Sequence, residues 1–288
     1  MSQSSFSYFN DQLTLELTIR NYSPDTLRHY TYHVGKFFVF INYSEARLTE
    51  DQVRAYLFDI RTHSSRSLSY LNTSYSALKF LFTYILKLDW SLKAIPRPKP
   101  EHTLPQFLSM DDMVLIIQLT KNLKHKAMLS TAYSAGLRVS ELINLKVSDI
   151  HSSNMQILVR QGKGRKDRYT LLSENNLTLL RAYFKAYKPT SEYLFENETT
   201  SVPLTTRTAQ AIFKDALRRA HIYRNLSFHC LRHSFATHMI LNGVDIFFIQ
   251  KLLGHASIES TSIYLHVLNK ELTSIKSPLD IYTGGDLI

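Results

Sequence analysis

The sequence predicts a mainly α protein with a small β-sheet, divided into two domains. Apolar residues recur at helical spacing through residues 5–90 and again through most of 109–253. One stretch, 154–172, alternates as paired strands do. Between the two helical regions lies Lys93-Ala94-Ile95-Pro96-Arg97-Pro98-Lys99-Pro100, where alternating prolines disfavour helix on both sides. The chain has 288 residues, 44% of them apolar, enough for two domains with real cores. The predicted division is a helical domain over 1–92, a basic Pro-rich linker over 93–106, a second domain over 107–270 and a tail over 271–288.

The first domain reads as a small helical bundle. A first helix spans about residues 5–20. Ser23-Pro24 is an N-cap followed by proline at the first helical position. Tyr30, His33, Val34, Phe37, Phe38 and Ile41 then follow at helical spacing. Thr49-Glu50-Asp51 opens a helix carrying Val53, Tyr56, Leu57 and Ile60. A long helix over 67–88 places Leu71, Tyr75, Leu78, Phe82 and Ile85 on one face. This aromatic stripe is read as core rather than as a base-stacking platform.

In the second domain Ser109 caps a helix with Asp111 and Asp112 in its first turn. A helix over 123–135 stops at Gly136, a left-handed C-cap, and a short helix covers 139–145. Strands over 154–160 and 165–172 form a hairpin through Gln161-Gly162-Lys163-Gly164. Helices are predicted over 174–187, 205–220, 227–242 and 244–253.

The formal net charge is +10, and residues 1–100 hold 12 Lys/Arg against 8 Asp/Glu, so both domains share the surplus. A basic balance suits a nucleic-acid partner, although charge alone fits a merely basic protein equally well. The single cysteine, Cys230, excludes an intramolecular disulfide and reads as a buried, inert thiol in a reducing compartment. The N-terminus lacks a signal-peptide pattern and no apolar run reaches membrane-spanning length, so a cytoplasmic, nucleoid-associated protein is expected.

Several short stretches carry chemistry together. Arg138 follows a helix stop, where a guanidinium can hold two phosphate oxygens; alone it is an ordinary surface arginine. Glu141, three residues on, either orients Arg138 or simply pairs with it. Lys163 stands at a hairpin tip, where its ammonium can protonate a leaving oxygen; Gly-Lys-Gly alone is a weak signal. His229 and Arg232 share one helix face and are expected at the edge of the core or beyond it. His229 and His233 have i,i+4 spacing, but no Glu follows His229 and Arg232 between them repels a cation, so two structural histidines fit better than a metal site. His255 follows Gly254 at a helix end, and Tyr264, one of 17 tyrosines, lies nine residues later. As a set these residues can grip a phosphodiester, move protons and attack phosphorus without a metal.

The stretch 228–267, FHCLRHSFATHMILNGVDIFFIQKLLGHASIESTSIYLHV, resembles the C-terminal signature of the tyrosine recombinase (phage integrase) family. AGLRVSEL at 135–142 resembles its first arginine box, and the likeness covers about residues 5–270. The resemblance implies catalytic roles for Arg138, Lys163, His229, Arg232, His255 and Tyr264, with Tyr264 the nucleophile and Glu141 in support. It implies a core-binding domain and an α+β catalytic domain closing as a C-shaped clamp on duplex DNA. It further implies a 3′-phosphotyrosyl intermediate with a free 5′-hydroxyl, a Holliday junction, and a homo-tetramer on specific recombination sites, with a related recombinase as a conceivable co-partner. No cofactor, metal, membrane or small-molecule substrate is expected. The tail, 271–288, would serve as a subunit-exchange segment. The two-domain architecture is nearest the Xer recombinases and compact integrases, with no room for an arm-site domain. Integration or excision of a mobile element is the favoured role, with Xer-type dimer resolution as the alternative. A type IB topoisomerase-like enzyme and a non-catalytic DNA-binding regulator are the remaining rivals.

Overall fold

The structure, a computed structural model, describes residues 3–43, 48–88, 90, 95–99, 105–160, 167–197 and 199–265. The chain divides into two compact units, 1–103 and 104–288. Among the described residues no helix is long and apolar enough to cross a membrane.

The first unit contains α1 (Gln3–Ile19), α2 (Pro24–Phe40), α3 (Glu50–His63) and α4 (Leu68–Phe80). Polar caps start the helices where expected. Ser23 accepts from the Thr26 N–H ahead of α2, and Thr49 and Gln52 close a capping box on α3. The aromatic stripe is core: Phe37, Phe38, Tyr75 and Phe82 are buried with Leu13, Leu17, Val34 and Leu78. Burying each large apolar side chain contributes roughly 1.5–3 kcal/mol. The long helix expected over 67–88 is not one regular helix. After Phe80 the ladder widens to a π turn, Leu81–Ile85, in which the Leu86 N–H reaches the Leu81 carbonyl.

The second unit runs α5 (Met110–Leu119), α6 (Leu123–Ser134), α7 (Val139–Ile143), β1 (Ile150–His151), β2 (Gln156–Val159), β3 (Arg168–Leu171), α8 (Glu174–Tyr187), α9 (Thr206–Arg219), α10 (Cys230–Leu241), α11 (Ile246–Leu253) and α12 (Glu259–Ser262). The sheet is antiparallel in the order β1-β2-β3, with Ile157 opposite Thr170 and Val159 opposite Arg168. β1 was not anticipated, since two residues are too short to show alternation. The strands are shorter than expected at the start of β2 because Asn154 and Met155 turn, Met155 at φ 52°. The main core joins α5, α6, α8, α9 and the start of α10 around Met128, Leu129, Phe195, Phe213 and Leu231. A smaller cluster gathers Phe235, Ala236 and Ile240 of α10, Ile249 and Leu253 of α11, and Tyr264.

Two glycines set close approaches on which the site depends. Gly136 ends α6 at φ +61°, and a Cβ there would stand 2.5 Å from the Phe235 ring. Gly254 ends α11 at φ +64°, and a Cβ there would meet the Arg168 side chain at 2.7 Å. Both need left-handed backbone and an absent side chain.

Candidate active site

Arg138 leaves the Gly136 turn as the N-cap of α7. Its backbone N–H donates to Glu141 Oε2 at 2.8 Å and its Nη1 donates to Glu141 Oε1 at 2.7 Å. Of the two alternatives left open for Glu141, orienting Arg138 describes the geometry better, because the carboxylate fixes both the backbone and the side chain of Arg138. The guanidinium is folded onto Glu141 rather than extended outward.

Glu141 is nearly enclosed, and a second arginine grips it. Arg168 of β3 places Nη1 and Nη2 each 2.8 Å from the two carboxylate oxygens, while its Nε donates to the Leu252 carbonyl at 2.8 Å. Burial by itself would raise the Glu141 pKa. The Arg168 fork, aided by Arg138, outweighs that effect and holds the carboxyl down to about 2. Arg232 Nη1 stands 3.7 Å from the same carboxylate.

Arg232 departs from expectation. Instead of lying at the edge of the core it is fully buried, 0% exposed. The apolar residues of α10 were read as one inward face, but α6 and α11 pack around the helix and enclose the polar side as well. Arg232 Nη1 donates to the Gly136 carbonyl at 2.8 Å and Nη2 to the Leu253 carbonyl at 2.6 Å. These carbonyls terminate α6 and α11, where helix dipoles favour a cation. Among the described residues Nε has no hydrogen-bond partner. Burial, and then the neighbouring Arg138 charge, pull the Arg232 pKa down to about 9.

His229 is exposed at the start of α10. Its close packing and the charges of Arg232 and Arg138 lower its pKa. Its ring meets that of His233 edge to face, with centroids 4.5 Å apart. His255 follows the Gly254 turn, and its Nδ1 lies 2.8 Å from Oγ1 of the buried Thr261 in α12. That contact ties His255 to the segment leading to Tyr264. Tyr264 is buried, 1% exposed, with its hydroxyl 2.8 Å from His233 Nδ1. Burial raises the Tyr264 pKa, while the charges of Arg232 and Arg138, both close enough to act on the phenol, lower it.

The structure thus brings Arg138, Glu141, Arg232 and Tyr264 together, places His229 beside His233, and sets His255 two residues past the Leu253 carbonyl that holds Arg232. Lys163 lies outside the described residues, as does the segment 271–288. Among the described residues no three His, Cys, Asp or Glu side chains converge as metal ligands.

Sequence reasoning missed Arg168 and the contact of His233 with Tyr264. In β3 the apolar pair Tyr169 and Leu171 suggests the inward face, yet these are 50% and 39% exposed, and Arg168 and Thr170 point inward. Thr170 Oγ1 donates to the Ala135 carbonyl at 2.8 Å, fastening β3 to the end of α6 beside the Arg138 turn. Two-residue alternation puts Arg168 on the Thr170 face, but no sequence signal says which face is buried.

Comparison with known proteins identifies the family. Residues 106–271 match the model of the phage integrase family, and residues 9–92 match that of the phage integrase N-terminal SAM-like domain. A tyrosine recombinase, XerA, of Pyrococcus horikoshii is 37% identical over 264 residues, covering 91% of this chain and 90% of that protein. A tyrosine recombinase of Thermosipho africanus is 33% identical over 265 residues, covering 88% and 92%. The crystal structure of XerH site-specific recombinase bound to palindromic difH substrate superposes with a TM-score of 0.71 at 22% identity, over 91% of this chain and 81% of that one; this likeness is one of fold. The chain belongs to the tyrosine recombinase (phage integrase) family. It is an enzyme of site-specific recombination, cutting and rejoining DNA.

Proposed function

We propose that the cluster around Glu141 is the phosphodiester site and that Tyr264 is its nucleophile. The observation that carries this reading is that one carboxylate, Glu141, gathers Arg138 and Arg232, while His233, the next residue after Arg232, meets the Tyr264 hydroxyl at 2.8 Å. Tyr264 Oη attacks the scissile phosphorus, its proton passing to His229 or His255 as the bond from phosphorus to the 5′-oxygen breaks, which leaves a 3′-phosphotyrosyl link and a free 5′-hydroxyl. Arg138 and Arg232 meet the charge that grows on the phosphoryl oxygens, in a site where burial strengthens that attraction. Lys163, between Gly162 and Gly164 in the sequence, protonates the leaving 5′-oxygen, and His229 and His255 bind phosphate and assist proton transfer. Rejoining runs the same steps backward, with a 5′-hydroxyl attacking the phosphotyrosine.

The substrate is double-stranded DNA with specific recombination sites, acted on by a homo-tetramer through a Holliday junction in the cytoplasm. Both units carry a positive surplus, which suits contact with DNA from each. Integration and excision of a mobile element is the favoured role, with dimer resolution as the second. A substrate nicked near the scissile bond traps the covalent intermediate on a denaturing gel. Wild type should form the adduct, and Tyr264→Phe should bind DNA and form none. An adduct of normal yield from Tyr264→Phe would remove Tyr264 from its role. A supercoiled plasmid with two sites then separates recombination from simple relaxation.

A further inference from the structure

The Tyr264 hydroxyl rests on a histidine outside the set of six that the sequence singled out. His233 Nδ1 lies 2.8 Å from Tyr264 Oη, with the rings 5.6 Å apart and tilted by 53°. His233 follows Arg232 directly on α10, so the helix that carries the buried guanidinium also fixes the imidazole. His229, one turn earlier, packs edge to face against the His233 ring. The imidazole therefore contacts one proposed active-site residue and the hydroxyl of another.

Burial, then the charges of His229 and Arg232, bring the His233 pKa down to about 4, so the ring is neutral near pH 7. Burial raises the Tyr264 phenol above its ordinary 10.0. The proton therefore stays on the phenol by more than about six powers of ten. Such a ring is a poor proton acceptor for this phenol but a good hydrogen-bond acceptor. A phenol that donates to Nδ1 keeps its oxygen lone pairs turned away from the ring and open to phosphorus.

We propose that His233 is a positioning residue, whose Nδ1 accepts the Tyr264 hydroxyl and aims its oxygen at the phosphate held by Arg138 and Arg232. This rests on the reading of Tyr264 as nucleophile. The test compares two substitutions in the full chain, using single-turnover cleavage of a nicked suicide substrate, gel-shift affinity for the same DNA, and thermal unfolding. An asparagine places an amide oxygen near the Nδ1 position, and a leucine places none. His233→Leu should cleave roughly 10- to 100-fold more slowly, the scale of loss for a displaced reacting group, with DNA affinity unchanged. His233→Asn should come back to within a few-fold of wild type.

If His233→Leu does not fold, His233→Gln takes its place, because its amide reaches toward the Nε2 position and should not rescue. Cleavage at the wild-type rate by the leucine variant would overturn the assignment. So would an asparagine variant that folds and binds DNA yet is as slow as the leucine variant, since His233 would then be removing the proton. Tyr264→Phe serves as the control. An adduct from it defeats the nucleophile reading itself, whereas a silent Tyr264→Phe beside a fully active His233→Leu defeats only the role given to His233.

Discussion

Replacing Arg168 with methionine removes a long side chain's charge while keeping most of its apolar stem. The structure fixes what is lost: two hydrogen bonds at 2.8 Å to the Glu141 carboxylate and one at 2.8 Å to the Leu252 carbonyl. Glu141 is 5% exposed, so its charge cannot turn to water. Breaking a buried ion pair by removing one partner costs about 3–5 kcal/mol. Arg138 still holds the carboxylate through its N–H and Nη1, which places the expected loss near the lower end, about 3 kcal/mol. For a unit of this size that corresponds to a fall in melting temperature of roughly 6–12 °C. Calorimetry on the full chain reads it. The decisive comparison is a cycle with Glu141→Gln. If the two residues stabilise the fold through each other, the double variant loses distinctly less than the two single losses added together. Additive losses, or an Arg168→Met variant that melts within a degree or two of wild type, would refute the view that this pair organises the site. Cleavage should suffer as well, because Glu141 also positions Arg138.

Three further outcomes are expected. Gly136→Ala should destabilise the chain by about 2–4 kcal/mol, combining a left-handed alanine with crowding against Phe235, and should slow cleavage more than it weakens DNA binding, because Arg138 lies two residues on; thermal unfolding and single-turnover cleavage measure both. His33 in the first unit is 3% exposed, and burial, then His29 and Arg66, lower its pKa to about 4, so its contribution is complete above about pH 6.5 and is lost as pH falls toward 4; between pH 7 and 5 this amounts to about 2 kcal/mol, and the drop in melting temperature should be visibly smaller in His33→Gln than in wild type. If Lys163 is the general acid, Lys163→Ala should slow cleavage of an ordinary phosphodiester by about 10²–10⁴-fold and hardly affect a substrate with a 5′-bridging sulfur, which leaves without a proton; equal losses on both would limit Lys163 to binding.

Three helix starts were legible because each rests on a local cap. Ser23-Pro24, Thr49 with Gln52, and Ser109 with Asp112 all close as short-range rules require. Gly136 was legible as a left-handed helix end and Gly254 as a helix end for the same reason, although that one sits on Phe235 and the other on Arg168 is a tertiary fact. The candidate residues were found through their resemblance to family motifs, and their surroundings were not. Nothing local tells that Arg232 is enclosed, because its two carbonyl partners come from residues 96 positions before it and 21 after it. Arg168 was hidden by its own strand, whose outer face is the apolar one. Binary patterning assumes that inward means apolar, and it fails where the interior holds a carboxylate and two carbonyl groups.

That failure follows from the charge balance of the site. Glu141 carries one negative charge, and Arg138, Arg168 and Arg232 crowd around it. Three guanidinium groups around one carboxylate leave an excess of two positive charges in largely buried surroundings, an arrangement that costs stability unless other groups share the charge. The carbonyls of Gly136 and Leu253 do part of this for Arg232, and the Leu252 carbonyl does so for Arg168. Among the described residues Arg232 Nε is buried without a hydrogen-bond partner, so the compensation is incomplete. On the proposed reading, the remainder is met by the substrate. A phosphodiester brings one negative charge, and the pentavalent state concentrates more on its free oxygens. A site left short of negative charge therefore gains most as that charge develops, the condition for stabilising a transition state more than a ground state. Adding a carboxylate near Arg232 would improve the resting balance and remove that gain. The burial of Arg232 and the sharing of Glu141 are thus two sides of one requirement: the arginines must be held rigidly without being neutralised.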